Sequence, residues 1–76
     1  MIVEVITPDK ILFSGEAVSV KLPGSSGSFE ALANHAPLLS SLEEGQIIVR
    51  TAQGEETFHI TGGIVEVLQN KVIVLA

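Results

Sequence analysis

Short runs rich in valine and isoleucine recur along this chain, and in its second half they are separated by connections of only two residues. The clearest pair is Ile47–Ala52 and Glu55–Thr61, joined by Gln53-Gly54, where glycine tolerates the positive φ of a two-residue hairpin connection. Ile64–Leu68 and Lys71–Leu75 have the same spacing, with an asparagine in the connection. This pattern predicts two antiparallel hairpins in the second half of the chain.

The first half of the chain also has the composition of strands. Ile2–Ile6 predicts a first strand, and Ile11–Leu22 is long enough to need a bulge or bend, which we place at Ser14-Gly15. Pro23–Gly27 is rich in turn-forming residues. The strongest candidate for helix is a short turn at Asn34–Ser41, which an internal proline limits to its beginning.

Six or more short strands at such close spacing are typical of an all-β protein. There is no repeat, low-complexity tract or internal linker, so we predict one domain over residues 1–76. Within Glu55–Thr61, Phe58 and Ile60 share one face and the polar residues share the other, as in a sheet that covers a core. The predicted fold is a small flattened β-sandwich or barrel of short, mostly antiparallel strands rather than an α/β fold.

The charge of the chain argues against several kinds of partner. Nine acidic and four basic residues give a net charge of −5, which opposes binding to nucleic acid or to an anionic membrane surface. No apolar run approaches the roughly 20 residues that span a bilayer, and Ile2–Ile6 lacks the basic flank of a signal peptide. We therefore expect no nucleic-acid partner and no direct membrane insertion, so that any membrane association is through another protein.

No set of residues in the sequence predicts catalysis, a metal site or a cofactor site. His35 and His59 are far apart in sequence, and Asp9 is the only aspartate, so neither a catalytic triad nor a metal-ligand spacing is present. Pro23–Gly27 is not followed by the Lys-Ser/Thr of a phosphate-binding loop. Thr61–Gly63 indicates a tight strand connection or bulge where side chains would collide, rather than a ligand contact, although both can hold if the backbone of a neighbouring subunit approaches the glycines closely. We expect each histidine to be structural.

Five large apolar residues lie in the part of the chain richest in turn-forming residues, where a solvated loop would be polar. They either cover the sandwich as a lid or form an exposed docking patch, and we expect both. These residues are Phe29, Leu32, Leu38, Leu39 and Leu42. We predict that Leu38 and Leu39 lie mainly in the core, and that Phe29 or Leu32 lies nearer the surface.

Several segments in the same order resemble the N-terminal domain of the epsilon subunit of F-type ATP synthases. The most specific are Gly24–Leu39, with its His-Ala-Pro-Leu-Leu sequence, and Thr61–Val67. Supporting matches are Thr7–Lys10, Leu12–Glu16 and Val72–Ala76 at the end of the chain. The resemblance therefore covers essentially the whole chain.

The resemblance implies a non-catalytic subunit of the central stalk, a β-sandwich that binds the gamma subunit on one side and the membrane-embedded c-ring on another. It implies that Thr7 and Ser40 lie near gamma, and that Ser26–Asn34 with His35 lies toward the ring. The residues expected to face the ring are Ser28, Phe29, Glu30, Leu32 and His35. It also implies a peripheral location on the cytoplasmic face of a bacterial inner membrane, held there through the ATP synthase complex.

The chain departs from the family pattern in two respects. Ser28 stands at a position that is usually acidic, whereas Glu30 stands where the family usually has glycine, so we expect the acidic contact with the ring to come from Glu30. Ala33-Asn34 replaces Pro-Gly ahead of the histidine.

The second departure is in length. Most relatives continue after the Val-Leu-Ala segment into a helical hairpin, and because this chain ends at Ala76 we expect it to lack hairpin insertion as a brake on ATP hydrolysis.

Two functions of other classes compete with this interpretation. A free-standing β-sandwich module that binds a small ligand or carbohydrate would need an aromatic platform or convergent polar groups, and the chain has no tryptophan or tyrosine. A small hydrolase would need a nucleophile and a base within reach of each other, and no such pair is recognisable. The ligand-binding module is the stronger of these alternatives.

Overall fold

A computed structural model describes all residues from Met1 to Ala76 and contains nine strands and no helix. No element could therefore cross a membrane as a long apolar helix. The strands, in chain order, are β1 (Ile2–Ile6), β2 (Ile11–Glu16), β3 (Ser19–Leu22), β4 (Phe29–Leu32), β5 (Leu38–Leu42), β6 (Gly45–Thr51), β7 (Gly54–Ile60), β8 (Gly63–Leu68) and β9 (Lys71–Leu75).

The strands form two sheets that enclose one core. The five-stranded sheet has the order β2-β1-β9-β8-β5, and the four-stranded sheet has the order β4-β3-β6-β7. Every pairing is antiparallel except that of β1 with β9, which is parallel and places the first and last strands of the chain side by side. The prediction of an all-β sandwich of short, mostly antiparallel strands is confirmed.

The core lies between the sheets and consists almost entirely of aliphatic side chains. Leu22 and Ile47 are its largest fully buried members. Each strand sends alternate residues inward because successive side chains point to opposite faces. Burying one Val, Leu or Ile side chain contributes roughly 1.5–3 kcal/mol. The five-stranded sheet contributes Val3, Val5, Val65, Val67, Val72 and Val74, and the four-stranded sheet contributes Val20, Leu22, Ala31, Ile47, Val49 and Ile60.

Both predicted hairpins are confirmed. The connection between β6 and β7 is the two residues Ala52-Gln53, and Gly54, with φ of 130°, follows it as the first residue of β7. The connection between β8 and β9 is made by Gln69 and Asn70, both with positive φ, at 52° and 62°. Two successive left-handed residues give a turn whose twist matches that of the flanking strands, which is why asparagine is favoured there.

The predicted helical turn at Asn34–Ser41 is wrong. Asn34 instead has φ of 62°, which reverses the chain after β4, and Leu38–Leu42 is strand β5. Pro37 has no N–H to give a helix and disfavours helical φ and ψ in the residue before it. After Pro37 the chain pairs with β8, so tertiary hydrogen bonds decide the conformation of this segment.

The predicted bend at Ser14-Gly15 lies slightly later in the chain. Both residues pair regularly with β1, and the bend comes at Ala17 and Val18. The Ala17 N–H donates to Met1 O at 2.8 Å in one sheet, and the Val18 N–H donates to Arg50 O at 2.7 Å in the other. The chain therefore changes sheets at this dipeptide, which leaves Val18 exposed.

Candidate protein interface

The outer side of the five-stranded sheet is covered by large apolar side chains. Six of the eight large hydrophobic residues that are exposed in this chain lie there; the other two are Val18 and Leu32. The largest exposed apolar patch of a monomeric protein is often a functional surface. We call this surface the apolar face; it consists of Ile2, Ile6, Ile11, Leu39, Ile64, Leu68, Ile73 and Leu75.

Strand register brings these side chains together. Across the sheet, Ile64 is opposite Leu75, Leu75 is beside Ile6, and Ile6 is opposite Ile11. Directly paired residues point to the same side of a sheet. The register between β1 and β2 shifts after Val5, and this bulge turns Ile11 outward although Phe13, two residues later, packs against the core. One row of the apolar face therefore runs across four strands without a polar side chain.

The outer side of the four-stranded sheet has the opposite character. Two polar side-chain contacts lie along it: Arg50 Nε is 3.4 Å from Glu55 Oε2, and His59 Nε2 is 3.2 Å from Glu44 Oε2. His59 faces solvent in this polar setting, as its sequence neighbours predicted. We call this side the polar face. The two outer surfaces of the sandwich therefore differ sharply in the kind of partner that they suit.

One end of the apolar face is extended by the turn between β1 and β2. The Thr7 hydroxyl accepts hydrogen bonds from the backbone N–H groups of Asp9 at 3.3 Å and Lys10 at 3.1 Å, and donates to Lys10 O at 3.1 Å. These bonds fix the turn as a local motif built on the threonine hydroxyl. Thr7 and Pro8 border a shallow depression next to Leu75.

Ser40 does not lie beside Thr7. Ser40 is on β5, whereas Thr7 follows the end of β1. Strands β9 and β8 lie between β1 and β5, so the two residues are separated by roughly 14 Å across the sheet. Ser40 pairs with Val65 on the core side of β5, and its hydroxyl donates to Ser41 O at 2.9 Å. Its neighbour Leu39 points outward and is 67% exposed, so the prediction that Leu39 is mainly in the core is wrong.

The structure explains that error through register. Because successive residues of a strand alternate, only one of the two adjacent leucines can point inward. Leu38 pairs with Val67 and packs against the core, which confirms the prediction for that residue. Leu39 pairs with Glu66 and joins the apolar face. Leu42 is buried, as a lid residue would be.

Of the five residues predicted to face the ring, Phe29 and His35 are partly buried and three others are exposed. Phe29 packs against the core, and its ring centroid lies 6.5 Å from that of His35. The His35 ring is held by a contact of 2.7 Å between Nδ1 and Ala36 O. The exposed residues of this group are Ser28, Glu30 and Leu32.

Sequence reasoning missed the residue that holds this loop in place. The Asn34 N–H donates to Asn70 Oδ1 at 2.8 Å, which ties the loop after β4 to the turn between β8 and β9. Both asparagines have φ of 62°. The only sequence signal was an asparagine in a two-residue turn, which predicts the turn and does not predict a bond to a loop 36 residues away.

We expect Asn70→Gly to loosen the loop without disturbing the turn. Glycine accepts the positive φ but removes the acceptor of the Asn34 N–H, which should cost about 1 kcal/mol and accelerate exchange of that single amide. Asn70→Ala should be worse, because it adds a strained φ to the lost hydrogen bond. Urea unfolding and hydrogen exchange would measure both effects. An Asn34 amide that remains equally protected in Asn70→Gly would contradict this role.

The whole chain, residues 1–76, matches the family described as the beta-sandwich domain of the ATP synthase Delta/Epsilon chain. The chain belongs to this family. It is 45% identical over 73 residues to the ATP synthase epsilon chain of Chlorobaculum tepidum, a match that covers 95% of this chain and 83% of that protein. It is 39% identical over 75 residues to the epsilon chain of Dichelobacter nodosus, covering 97% of this chain and 52% of that protein.

Solved structures show the same fold at lower sequence identity. A chain in the mitochondrial ATP synthase of Euglena gracilis, solved as the OSCP/F1/c-ring assembly, superposes with a TM-score of 0.91 at 20% identity, covering 100% of this chain and 49% of that chain. A chain in the central stalk and c-ring structure from Tetrahymena thermophila gives a TM-score of 0.84 at 21% identity, covering 99% and 61%. The family resemblance seen in the sequence is confirmed, and it is to an epsilon chain rather than to a catalytic subunit.

Proposed function

We propose that this chain is a non-catalytic rotor subunit of the central stalk of an F-type ATP synthase, joining the gamma subunit to the c-ring and supporting the coupling of ion transport to ATP synthesis. The observation that carries the proposal is the apolar face, which a stalk partner would cover. The complex holds the chain at the cytoplasmic face of a bacterial inner membrane, with no insertion of its own.

The gamma subunit covers the apolar face in this proposal. A joint that transmits torque needs buried apolar contact and a close fit, and it needs no chemistry of its own. Five strands about 4.8 Å apart and five residues long present roughly 400 Å², about half of a standard interface on one partner. The contact must therefore continue past the strands, and the turn at Thr7 and Pro8 lies where it would do so. Ser40 lies on the core side of β5, so its contribution would come at the exposed edge of that strand and not from the apolar face itself.

The c-ring binds at a different surface. Glu30 and Leu32 point to the outer side of β4, the edge strand of the four-stranded sheet, and Ser28 precedes that strand. Phe29 and His35 support the loop from behind. Because this surface and the apolar face belong to different sheets, gamma and the ring can bind at the same time, which a linking subunit requires.

Isoleucine methyl groups offer a direct test of the gamma contact, because they occur on both outer faces. In the ¹³C-methyl-labelled chain, addition of purified gamma subunit should shift the signals of Ile11, Ile64 and Ile73 on the apolar face. Ile48, on the polar face, serves as the internal control and should not shift. Shifts at Ile48 with none at Ile64 would place gamma on the wrong side and refute this assignment.

Co-purification tests the wider function. The tagged chain should be recovered from membranes together with gamma and the c-ring, and washing with a membrane-compatible detergent should not separate them. Recovery as a partner-free monomer, with no effect of its deletion on ATP-driven ion pumping, would favour the ligand-binding module instead.

A further inference from the structure

Glu66 is an isolated carboxylate in the middle of the apolar face. It lies on the outer side of β8, where its cross-strand neighbours are Leu39 on β5 and Ile73 on β9. Its neighbours on the same face of its own strand are Ile64 and Leu68. All four side chains around this carboxylate are therefore apolar, and Glu66 itself makes no hydrogen bond or ion pair within the chain.

The strands of this face do not provide enough positive charge to match their carboxylates. Lys71 is their only basic residue, and its Nζ lies 3.8 Å from Glu4 Oε1. The N-terminal ammonium is already engaged by Glu16 at 3.1 Å. If Lys71 turned to Glu66 instead, Glu4 would lose its partner. One carboxylate in the centre of the face is unmatched in either arrangement.

An unmatched carboxylate is tolerated while water reaches it, but not when a partner covers the face. Burying a charge without a counter-charge is strongly unfavourable, so the covering surface must supply a cation at this position. A second copy of the chain docked symmetrically over this part of the face does not supply one. A two-fold contact centred on the middle row, which contains Glu4, Ile73 and Glu66, brings carboxylates of the two copies against each other.

We infer that gamma places a basic side chain, by its chemistry an arginine, against Glu66, and that this pair sets the orientation in which the two subunits dock. The inference rests on the proposed contact of gamma with the apolar face. Arginine fits better than lysine because its guanidinium is planar, weakly hydrated and able to bind a carboxylate through two hydrogen bonds. In this arrangement the apolar side chains supply most of the buried interface area, and the ion pair of Glu66 fixes how the two subunits are aligned.

The test compares two variants that remove the same charge from different places. Glu66→Gln removes it from the apolar face, and Glu56→Gln removes it from the exposed edge strand β7, away from that face. Binding of purified gamma subunit to each immobilised chain is measured over a range of salt concentrations. Glu66→Gln should weaken binding about 10- to 100-fold, mainly through faster dissociation, and should reduce its salt dependence, whereas Glu56→Gln should stay within twofold of the unmodified chain.

The outcomes separate this inference from the function on which it rests. If the unmodified chain does not bind gamma, the proposed function fails, and the inference fails with it. If the unmodified chain binds but Glu66→Gln binds equally or more tightly, the gamma contact survives and the Glu66 pair is refuted. Thermal unfolding of each variant checks that its fold is intact, and the further variant Glu66→Asp, which keeps the charge, should recover part of the lost affinity.

Discussion

Replacing Gly63 by alanine is expected to destabilise the sandwich by about 3–5 kcal/mol, a large share of the total stability of a small domain. Gly63 begins β8 with φ of 146°, a conformation that residues with a Cβ rarely adopt. A Cβ at this position would overlap the carbonyl oxygen of Leu75 and lie 3.0 Å from the Cα atom of Ala76. Both are backbone atoms, so no side-chain rotation relieves the overlap.

The backbone opposite Gly63 has little freedom to move. Leu75 belongs to β9, the central strand of its sheet, which is paired with β8 on one side and β1 on the other. The Ala76 N–H donates to Ile6 O at 2.8 Å, so displacing the end of β9 would also strain β1. The tight connection predicted for Thr61–Gly63 is confirmed by this close approach.

Gly54→Ala is the matched control for this prediction. Gly54 also has positive φ, at 130°, but an added Cβ would meet nothing within 4 Å. It should cost only the conformational strain, about 1–2 kcal/mol. Urea and thermal unfolding measure both variants, and for a domain of this size each kcal/mol lowers Tm by about 4–8 °C. Equal losses in the two variants would show that the overlap at Gly63 is unimportant.

Leu75→Lys is expected to weaken binding of gamma by at least about 100-fold while leaving the chain folded. Leu75 is 52% exposed in the centre of an apolar row, so the free protein accommodates a lysine there at little cost. In the proposed complex the same lysine loses water and apolar contact together, which costs several kcal/mol. Calorimetric titration with purified gamma subunit measures the loss.

Leu32→Lys provides a control with the same chemical change and nearly the same exposure. Leu32 is 53% exposed but lies on β4, on the surface proposed for the c-ring. We expect it to leave gamma binding within about twofold and to reduce retention on detergent-solubilised c-ring, the reverse of Leu75→Lys. If both variants lost the same partner, the assignment of two separate surfaces would be wrong.

The strands and hairpins were predictable because their signals are local. Gly54 and the asparagine of the turn between β8 and β9 mark short connections, and the alternation of Phe58 and Ile60 with polar residues marks a strand with one buried side. The segment at Asn34–Ser41 was not predictable in the same way. Its local composition suits a turn, and its pairing with β8, a strand 25 residues further along, makes it a strand.

The apolar face was harder to predict than the core, although both consist of the same residue types. In β9, Val72 and Val74 point inward whereas Ile73 and Leu75 point outward, so the strand is apolar on both sides. Such a strand carries no alternation that distinguishes its two faces. The local pattern does not say which side packs against the other sheet and which side is left for a partner.

The amino-acid order alone determined most of the strand positions, the two hairpins of the second half and the family, because each of these depends on residue types close together or on motifs that span the chain. Tertiary structure decided which leucine of Leu38-Leu39 faces out, that Asn70 holds the loop beside His35, and that Glu66 lies alone among apolar side chains. These features depend on pairing between strands distant in sequence. A shift of one residue in that pairing would exchange the buried and exposed sides of a strand.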